Sequence, residues 1–408
     1  MKNDFKKIIN NLKKIKFDSL EMIVVLIMSI CLGAIIGSLI KNDSTQIKQV
    51  KYENEIDEVY NRLLNEYYTE LSEKDLQNAA IEGMMSLLKE DEYSSYLNKE
   101  EQETLNQYLD GAYKGIGVQM TKMKNDIVVT AVFENSPAEE KGIKVGDIIV
   151  KVNDIDVTQK ELQDVVDMIK NNPEEITITI KRENETKTIK INTNAITIPS
   201  VDKKIYEENG KKIGYLRISI FAANTDEQFE KRLKKLEKEE IDSLIIDLRD
   251  NSGGHLKTVS TMIDLFLGQK DVMYQLKKNN KTTKVYGTGK RTRDYEIVVL
   301  TNENSASASE ILASALQEEY GATLVGKKTF GKGTVQQAIN LSTGSMIKYT
   351  TEEWLTSKGN QINKKGIKPD VEVELDSKYF ETYEEKDDNQ LQKAINILKD
   401  KWLRFFRF

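Results

Sequence analysis

A nucleophilic serine needs a base, and this chain offers few. Of its 408 residues one is histidine, His255, and one is cysteine, Cys31. A single Cys excludes an intramolecular disulfide and a Cys-based zinc cage. A single His excludes a His-rich metal site, and any Ser-His-Asp triad would have to use His255. Two serine clusters compete. In Asp250-Asn251-Ser252-Gly253-Gly254, a Ser252 nucleophile would depend on His255, three residues along the same loop. The glycines give this turn a better use, because backbone N–H groups bared by glycine can point at a developing oxyanion. The second cluster, Ser305-Ala306-Ser307-Ala308-Ser309-Glu310, lies between an apolar run and a helical pattern. A small-residue turn there lets one hydroxyl project at the mouth of a sheet, beside the free N–H groups of the helix start, although plain N-capping accounts for the same serines. Thr329-Phe330-Gly331-Lys332-Gly333-Thr334-Val335-Gln336 breaks the tie. A neutral lysine amine can take a serine proton if burial brings its pKa from ~10.4 to near 7, at a cost of roughly 4 kcal/mol. Glycines on both sides let the Lys332 backbone approach another chain. In an extended segment Lys332, Thr334 and Gln336 share a face, so the Gln336 amide could orient the amine. The alternative is a solvated surface lysine in a glycine turn.

The elements that must position these residues follow from periodicity. Between 53 and 71, Ile56, Val59, Tyr60, Leu63, Leu64 and Tyr67 mark one face of a helix, and Ser72 with Asp75 caps a second bearing Leu76, Ala80, Met84 and Leu88. Strands are predicted at 127–129 and 148–152, a helix at 159–170, and a hairpin from 176–180 to 186–191 around Arg182-Glu183-Asn184-Glu185. These make a small α+β domain over 106–193. After Pro199, strands at 213–221, 244–248, 297–300 and 322–326 alternate with helices at 226–240, 257–267 and 310–318, the pattern of an α/β core with parallel pairing. The tail, 389–408, is a basic amphipathic helix that would pack on the core or on a partner.

These residues together resemble the carboxyl-terminal processing, or tail-specific, proteases. The resemblance covers about residues 53–400, and its elements come in the family's order. They are Asp91-Glu92-Tyr93-Ser94-Ser95-Tyr96-Leu97, then Leu248-Arg249-Asp250-Asn251-Ser252-Gly253-Gly254, the Ser305–Glu310 and Phe330–Gln336 strings, and Gly366-Ile367-Lys368-Pro369-Asp370. The resemblance implies Ser307 as nucleophile, Lys332 as general base 25 residues on, and Gln336 as the residue orienting the lysine. It implies an oxyanion hole from the N–H groups of Ala308 and the Gly253/Gly254 turn, on a protease core of the ClpP/crotonase-like α/β type. It also implies that the small domain is a PDZ module whose Gly115-Ile116-Gly117-Val118 loop captures a peptide carboxylate, the peptide adding as a strand along 118–122. His255, where the family usually has an aliphatic residue, and Thr356-Ser357-Lys358-Gly359, where it often has a Pro, depart from the pattern without touching Ser307 or Lys332. The implied activity is a serine endopeptidase needing no metal or cofactor, with a homodimer formed through the N-terminal helices and the tail. The rivals are an inactive PDZ adaptor that only binds peptide C-termini, and a trypsin-like PDZ protease using Ser252.

The chain's placement is read from its start. Six lysines against Asp4 and Asp18 give residues 1–20 a net +4, and 22–40 then run nineteen residues without a charge. That is just long enough to cross a bilayer core, and the lysines hold the N-terminus in the cytoplasm. The expectation is therefore a single-pass anchor in the cell membrane, with 41–408 extracytoplasmic. Lys+Arg 60 against Asp+Glu 66, a net charge of −6, argues against a nucleic-acid partner. The expected organisation is a cytoplasmic segment 1–21, an anchor 22–40, a helical region 41–105, a PDZ domain 106–193, a protease core 194–376 and a helical tail 377–408. In class this is a multidomain α+β and α/β protein.

Overall fold

The computed structural model describes residues 54–405, apart from Asn172, Pro173 and Asn184. The anchor expected at 22–40 lies outside the described residues. Among those described, no helix is long and apolar enough to cross a membrane.

The chain divides into two compact units, residues 1–80 and 81–408. The described part of the first carries α1 (Glu55–Glu66), started by Asn54, whose side-chain oxygen accepts from the N–H groups of Ile56 and Asp57 at 2.9 and 3.1 Å. Its Ile56, Val59 and Leu63 are exposed. A second helix, α2 (Glu73–Met85), begins after Ser72, whose hydroxyl accepts from the Asp75 N–H.

The second unit takes in the end of α2 and continues with a short strand, β1 (Ser95–Leu97), and α3 (Lys99–Asp110), which a capping box of Asn98 and Glu101 starts and Gly111, at φ 63°, ends. The small domain follows. Its strands are β2 (Val118–Met123), β3 (Asp126–Val132), β4 (Ile148–Val152), β5 (Glu175–Arg182) and β6 (Glu185–Asn192), antiparallel in that spatial order. Helix α4 (Leu162–Lys170) starts three residues later than the periodicity predicts and buries Val165 and Ile169. The alternation of Ile176, Ile178 and Ile180 puts all three in one core with Ile127, Val129 and Ile149. β2 is an edge strand.

The protease half is built on a second sheet. β7 (Val201–Glu208) runs antiparallel to β8 (Lys211–Ile218). β9 (Ser243–Asp247), β12 (Glu296–Thr301), β13 (Thr323–Gly326) and β16 (Val371–Glu372) then continue parallel from β8. Both faces of β9 are covered, so it reads as an unbroken apolar run. Leu244 and Ile246 face α5 (Thr225–Lys238), α6 (Leu256–Ile263) and α7 (Ala308–Ala315). Ile245 faces the tail helix α8 (Asn389–Phe405) through Leu391, Ala394, Ile395 and Leu398. The described part of the tail thus packs on the core. A third, antiparallel sheet, which the periodicity does not disclose, joins β10 (Val272–Lys278), β11 (Lys281–Tyr286), β14 (Thr334–Asn340) and β15 (Met346–Leu355) to the distant β1.

Candidate active site

The two serine clusters stand side by side at the carboxyl edge of the parallel sheet, one loop after β9 and the other after β12. Polar side chains fasten them together. The Asn302 and Asn304 amides donate to Asp250 Oδ1 at 2.8 and 2.9 Å, and the Asp250 N–H returns a bond to Asn302 Oδ1. Buried Ser305 donates its hydroxyl to Leu248 O, and Ser309 to Asn251 O. These two serines are structural fasteners. Arg249 secures the first loop from behind through Asp247 and Asp388, tying it to the start of α8.

Ser307 occupies the turn into α7 at φ 54°, ψ −113°, a conformation that an L-residue adopts only when its surroundings hold it there. Its surroundings are tight. A methyl group on Gly253 would lie 2.8 Å from Ala306 O, 2.9 Å from Ser307 Cβ and 3.0 Å from Ala308 N, so only glycine fits. The two chain neighbours of Ser307, Ala306 and Ala308, are both buried.

Glu310 is the centre of the arrangement, and sequence reasoning gave it no role. Fully buried, it accepts four hydrogen bonds. Its Oε2 takes the N–H groups of Ser307 and Lys332, each at 2.9 Å, and its Oε1 takes the Gly331 N–H at 2.8 Å and the Thr329 hydroxyl at 2.5 Å. One carboxylate oxygen therefore brings the Ser307 and Lys332 backbones together. Burial pushes the Glu310 carboxyl up from its ordinary range, against the pull of the Thr329 hydroxyl and the three N–H groups. The one charged residue of the helix Ala308–Ala315 was the available signal.

Lys332 is fixed from the other side as well, its carbonyl accepting from the Trp354 indole at 2.8 Å. The close approach expected of its glycines is real. A side chain on Gly331 or Gly333 would collide with the backbone of Gly366 or Asn363. The half-buried amine lies 4.6 Å from the centre of the Tyr93 ring. Burial and the neighbouring Lys348 charge hold its pKa below the ordinary lysine value, while Asp91 and Glu310 oppose them. Among the described residues no hydrogen bond joins the amine to the Ser307 hydroxyl. Nor does the Gln336 amide reach the amine. A bulge between Val335 and Gln336 breaks the shared face expected of an extended segment, and the amide nitrogen donates to the hydroxyls of Thr334 and Thr350 at 2.8 and 3.1 Å.

Of the three N–H groups expected to face an oxyanion, two have no hydrogen-bond partner among the described residues. The Gly253 N–H donates to Asn251 Oδ1 at 2.9 Å and is engaged. Gly254, at φ 146°, is held in a parallel bridge in which its neighbours, not itself, bond to Phe221, so its N–H points free. The Ala308 N–H, first in its helix, likewise has no partner among the described residues. Ser252 is exposed, and the buried Nε2 of His255 has no hydrogen-bond partner, so these two side chains form no nucleophile–base pair.

In the small domain, Gly117 stands at φ 86° with Ser136 packed so closely that no side chain would fit. The carbonyls of Ile116 and Gly117 accept from Ala138 and Phe133, which fixes the Gly115–Val118 turn beside the open edge of β2. Helix α4 lies along that edge, as a groove for an added strand requires. The described residues hold no cluster of three His, Cys, Asp or Glu able to bind a metal.

A serine on a strained strand-to-helix turn, a half-buried lysine tied to it by one carboxylate, and an appended groove domain define the class: a peptidase with a peptide-binding module. Comparison with known proteins agrees. Residues 212–373 match the model of peptidase family S41, residues 128–182 that of the PDZ domain, and residues 36–101 that of the activating protease CtpB N-terminal domain. A "Probable CtpA-like serine protease" of Staphylococcus aureus (strain bovine RF122 / ET3-1) is 34% identical over 412 residues, covering 95% of this chain and 81% of that one. Its namesake in Staphylococcus epidermidis (strain ATCC 12228 / FDA PCI 1200) is 36% identical over 358 residues, covering 87% and 71%. Among solved structures, a photosystem II D1 C-terminal processing protease overlaps 78% of this chain and 86% of its own at 25% identity and a TM-score of 0.47. The chain belongs to the S41 serine peptidases, as a CtpA-like carboxyl-terminal processing protease carrying a PDZ domain.

Proposed function

We propose that this protease is anchored in the cell membrane by a single span at 22–40, with its N-terminus cytoplasmic, and cleaves protein substrates outside the membrane with a Ser307–Lys332 pair. The observation that carries the assignment of the pair is the shared Glu310 oxygen, which fixes the two backbones against each other across 25 residues of chain. Ser307 Oγ attacks a peptide carbonyl as its proton passes to the neutral Lys332 amine. The N–H groups of Gly254 and Ala308 receive the developing oxyanion. The ammonium then gives the proton to the leaving amine as the C–N bond breaks, leaving an acyl-enzyme on Ser307. Water, deprotonated by the same lysine, adds to the ester, and the serine leaves with that proton. Gln336 makes no bond to the amine in this state; with its nitrogen held by Thr334 and Thr350, its amide oxygen is the group left to receive the ammonium once Lys332 leaves the Tyr93 ring. The PDZ groove at 115–118 takes the substrate's C-terminal or unfolded segment and regulates the protease. Two copies associate through the exposed Ile56, Val59 and Leu63 face of α1.

Digestion of casein by the purified protein tests the core of this reading. Ser307→Ala and Lys332→Ala each lose activity, and Ser252→Ala keeps it. Activity surviving Ser307→Ala overturns the assignment. Peptide binding without turnover in the wild type would favour an adaptor instead.

A further inference from the structure

The segment 91–97 lies outside the S41 match, yet it forms one wall of the active site. Its β1 pairs antiparallel with β15, Ser95 opposite Lys348 and Leu97 opposite Met346. Ahead of the strand, the Ser94 hydroxyl accepts from the Thr350 N–H at 3.0 Å and donates to Asp91 Oδ2 at 2.6 Å, and Asp91 Oδ1 accepts from the Tyr93 N–H at 3.1 Å. This clasp points the half-buried Tyr93 ring at Lys332, whose amine stands 4.6 Å from its centre. The clasp shares Thr350 with Gln336, so the arm and the residue expected to orient the lysine are joined through one threonine.

We propose that Tyr93 is a positioning residue for the base: the arm 91–97 presents its ring face to the Lys332 amine, favours the ammonium there, and so restrains the amine from Ser307. The proposal rests on Lys332 being the base. An aromatic face attracts a cation within about 6 Å of its centre but gives a neutral amine little. In this state the amine is over the ring and makes no hydrogen bond to Ser307, so turnover requires it to leave Tyr93. The other charged groups facing it are Lys348 from β15, Asp91 from the arm and Glu310 from α7, with Glu92 acting on the Tyr93 ring. Burial and Lys348 favour the neutral amine. Tyr93, Asp91 and Glu310 favour the ammonium. Loss of the ring face with the amine kept out of water therefore raises the fraction of lysine able to act as base, and the arm that carries the ring runs directly into α3 and the PDZ domain.

The test is the pH profile of kcat/KM on labelled casein, measured on the full chain as wild type, Tyr93→Phe and Tyr93→Leu, with Lys332→Ala as control. Leucine keeps the amine out of water but removes the π face, so the ammonium is less favoured and the amine is neutral at lower pH. The acidic limb of Tyr93→Leu should shift down by about half to one and a half pH units, while Tyr93→Phe keeps the wild-type limb. A Tyr93→Leu limb at the wild-type position, whatever its plateau, overturns the proposal and leaves the Ser307–Lys332 assignment standing. Activity in Lys332→Ala would instead overturn that assignment. If Tyr93→Leu is too slow to profile, acetylation of Lys332 against pH, read by peptide mass spectrometry in a Ser307→Ala background, reports the neutral fraction without turnover. Equal midpoints with and without Tyr93→Leu again overturn the proposal.

Discussion

The two loops that carry Ser252 and Ser307 leave neighbouring parallel strands at the same edge of one sheet, and both are rich in Ser, Gly or Ala. They differ in what stands behind the hydroxyl. Ser252 is exposed, and the buried Nε2 of the nearby His255 has no hydrogen-bond partner among the described residues. Ser307 sits in a strained turn, packed against Gly253 and tied through Glu310 to a half-buried lysine. In the proposed mechanism the first loop contributes backbone and the second contributes a side chain. A serine's chemistry is thus set by its buried supports, which its own neighbours in sequence do not show.

This contrast can be broken at four places, taken from the largest effect down. Gly254→Ala should drive a Cβ to 2.2 Å from Phe221 O and displace an oxyanion donor, lowering kcat about 10²–10³-fold with folding checked by circular dichroism. A normal kcat in a folded variant would remove the first loop from the site. Glu310→Gln turns one acceptor oxygen into a donor facing backbone N–H groups or a hydroxyl. It should cost about 1–3 kcal/mol in denaturant unfolding and lower kcat roughly tenfold to a hundredfold. An unchanged kcat with lowered stability would reduce Glu310 to a purely structural part. The pH profile of the wild type gives a third test. Because the Lys332 pKa is lowered, kcat/KM should rise with pH along a one-proton limb centred below the ordinary lysine value of 10.5 and fall away in acid as the amine is protonated. His255→Asn should change kcat/KM by no more than about twofold, since its Nε2 bonds nothing. A large loss would return the first loop to consideration as a nucleophile site.

Much of this was legible in the sequence, and the limits have physical causes. The period-two run 176–180 and the continuous apolar run 244–248 disclose their strands because burial alternates along the first and is complete along the second. The strand Met346–Leu355 is half-buried through most of its length, so Lys348, Thr350 and Glu352 mask its partnership with β1, nearly 250 residues away. The expected helix at 310–318 ends at Ala315, followed by a wider turn over Leu316–Tyr320, which no residue type there announces. Type and spacing point to the serine cluster 305–309 and to Lys332, and the resemblance to the processing proteases picks Ser307 within that cluster. Glu310 is visible only as the one charge of its helix; the bonds it makes, like those of Asp250 with its two asparagines and the contact of Tyr93, join distant segments and no string shows them. The bond from Gly253 to Asn251 likewise shows that an Asn-Ser-Gly-Gly turn provides one free donor where the string suggests two.

The central claim is that Ser307, and not Ser252, is the nucleophile. The most direct measurement is to react the protein with a fluorophosphonate, digest it, and locate the adduct by mass spectrometry. A single adduct on the peptide bearing Ser307, absent in Lys332→Ala, is the predicted result; an adduct on the peptide bearing Ser252, or labelling indifferent to Lys332, would contradict the account.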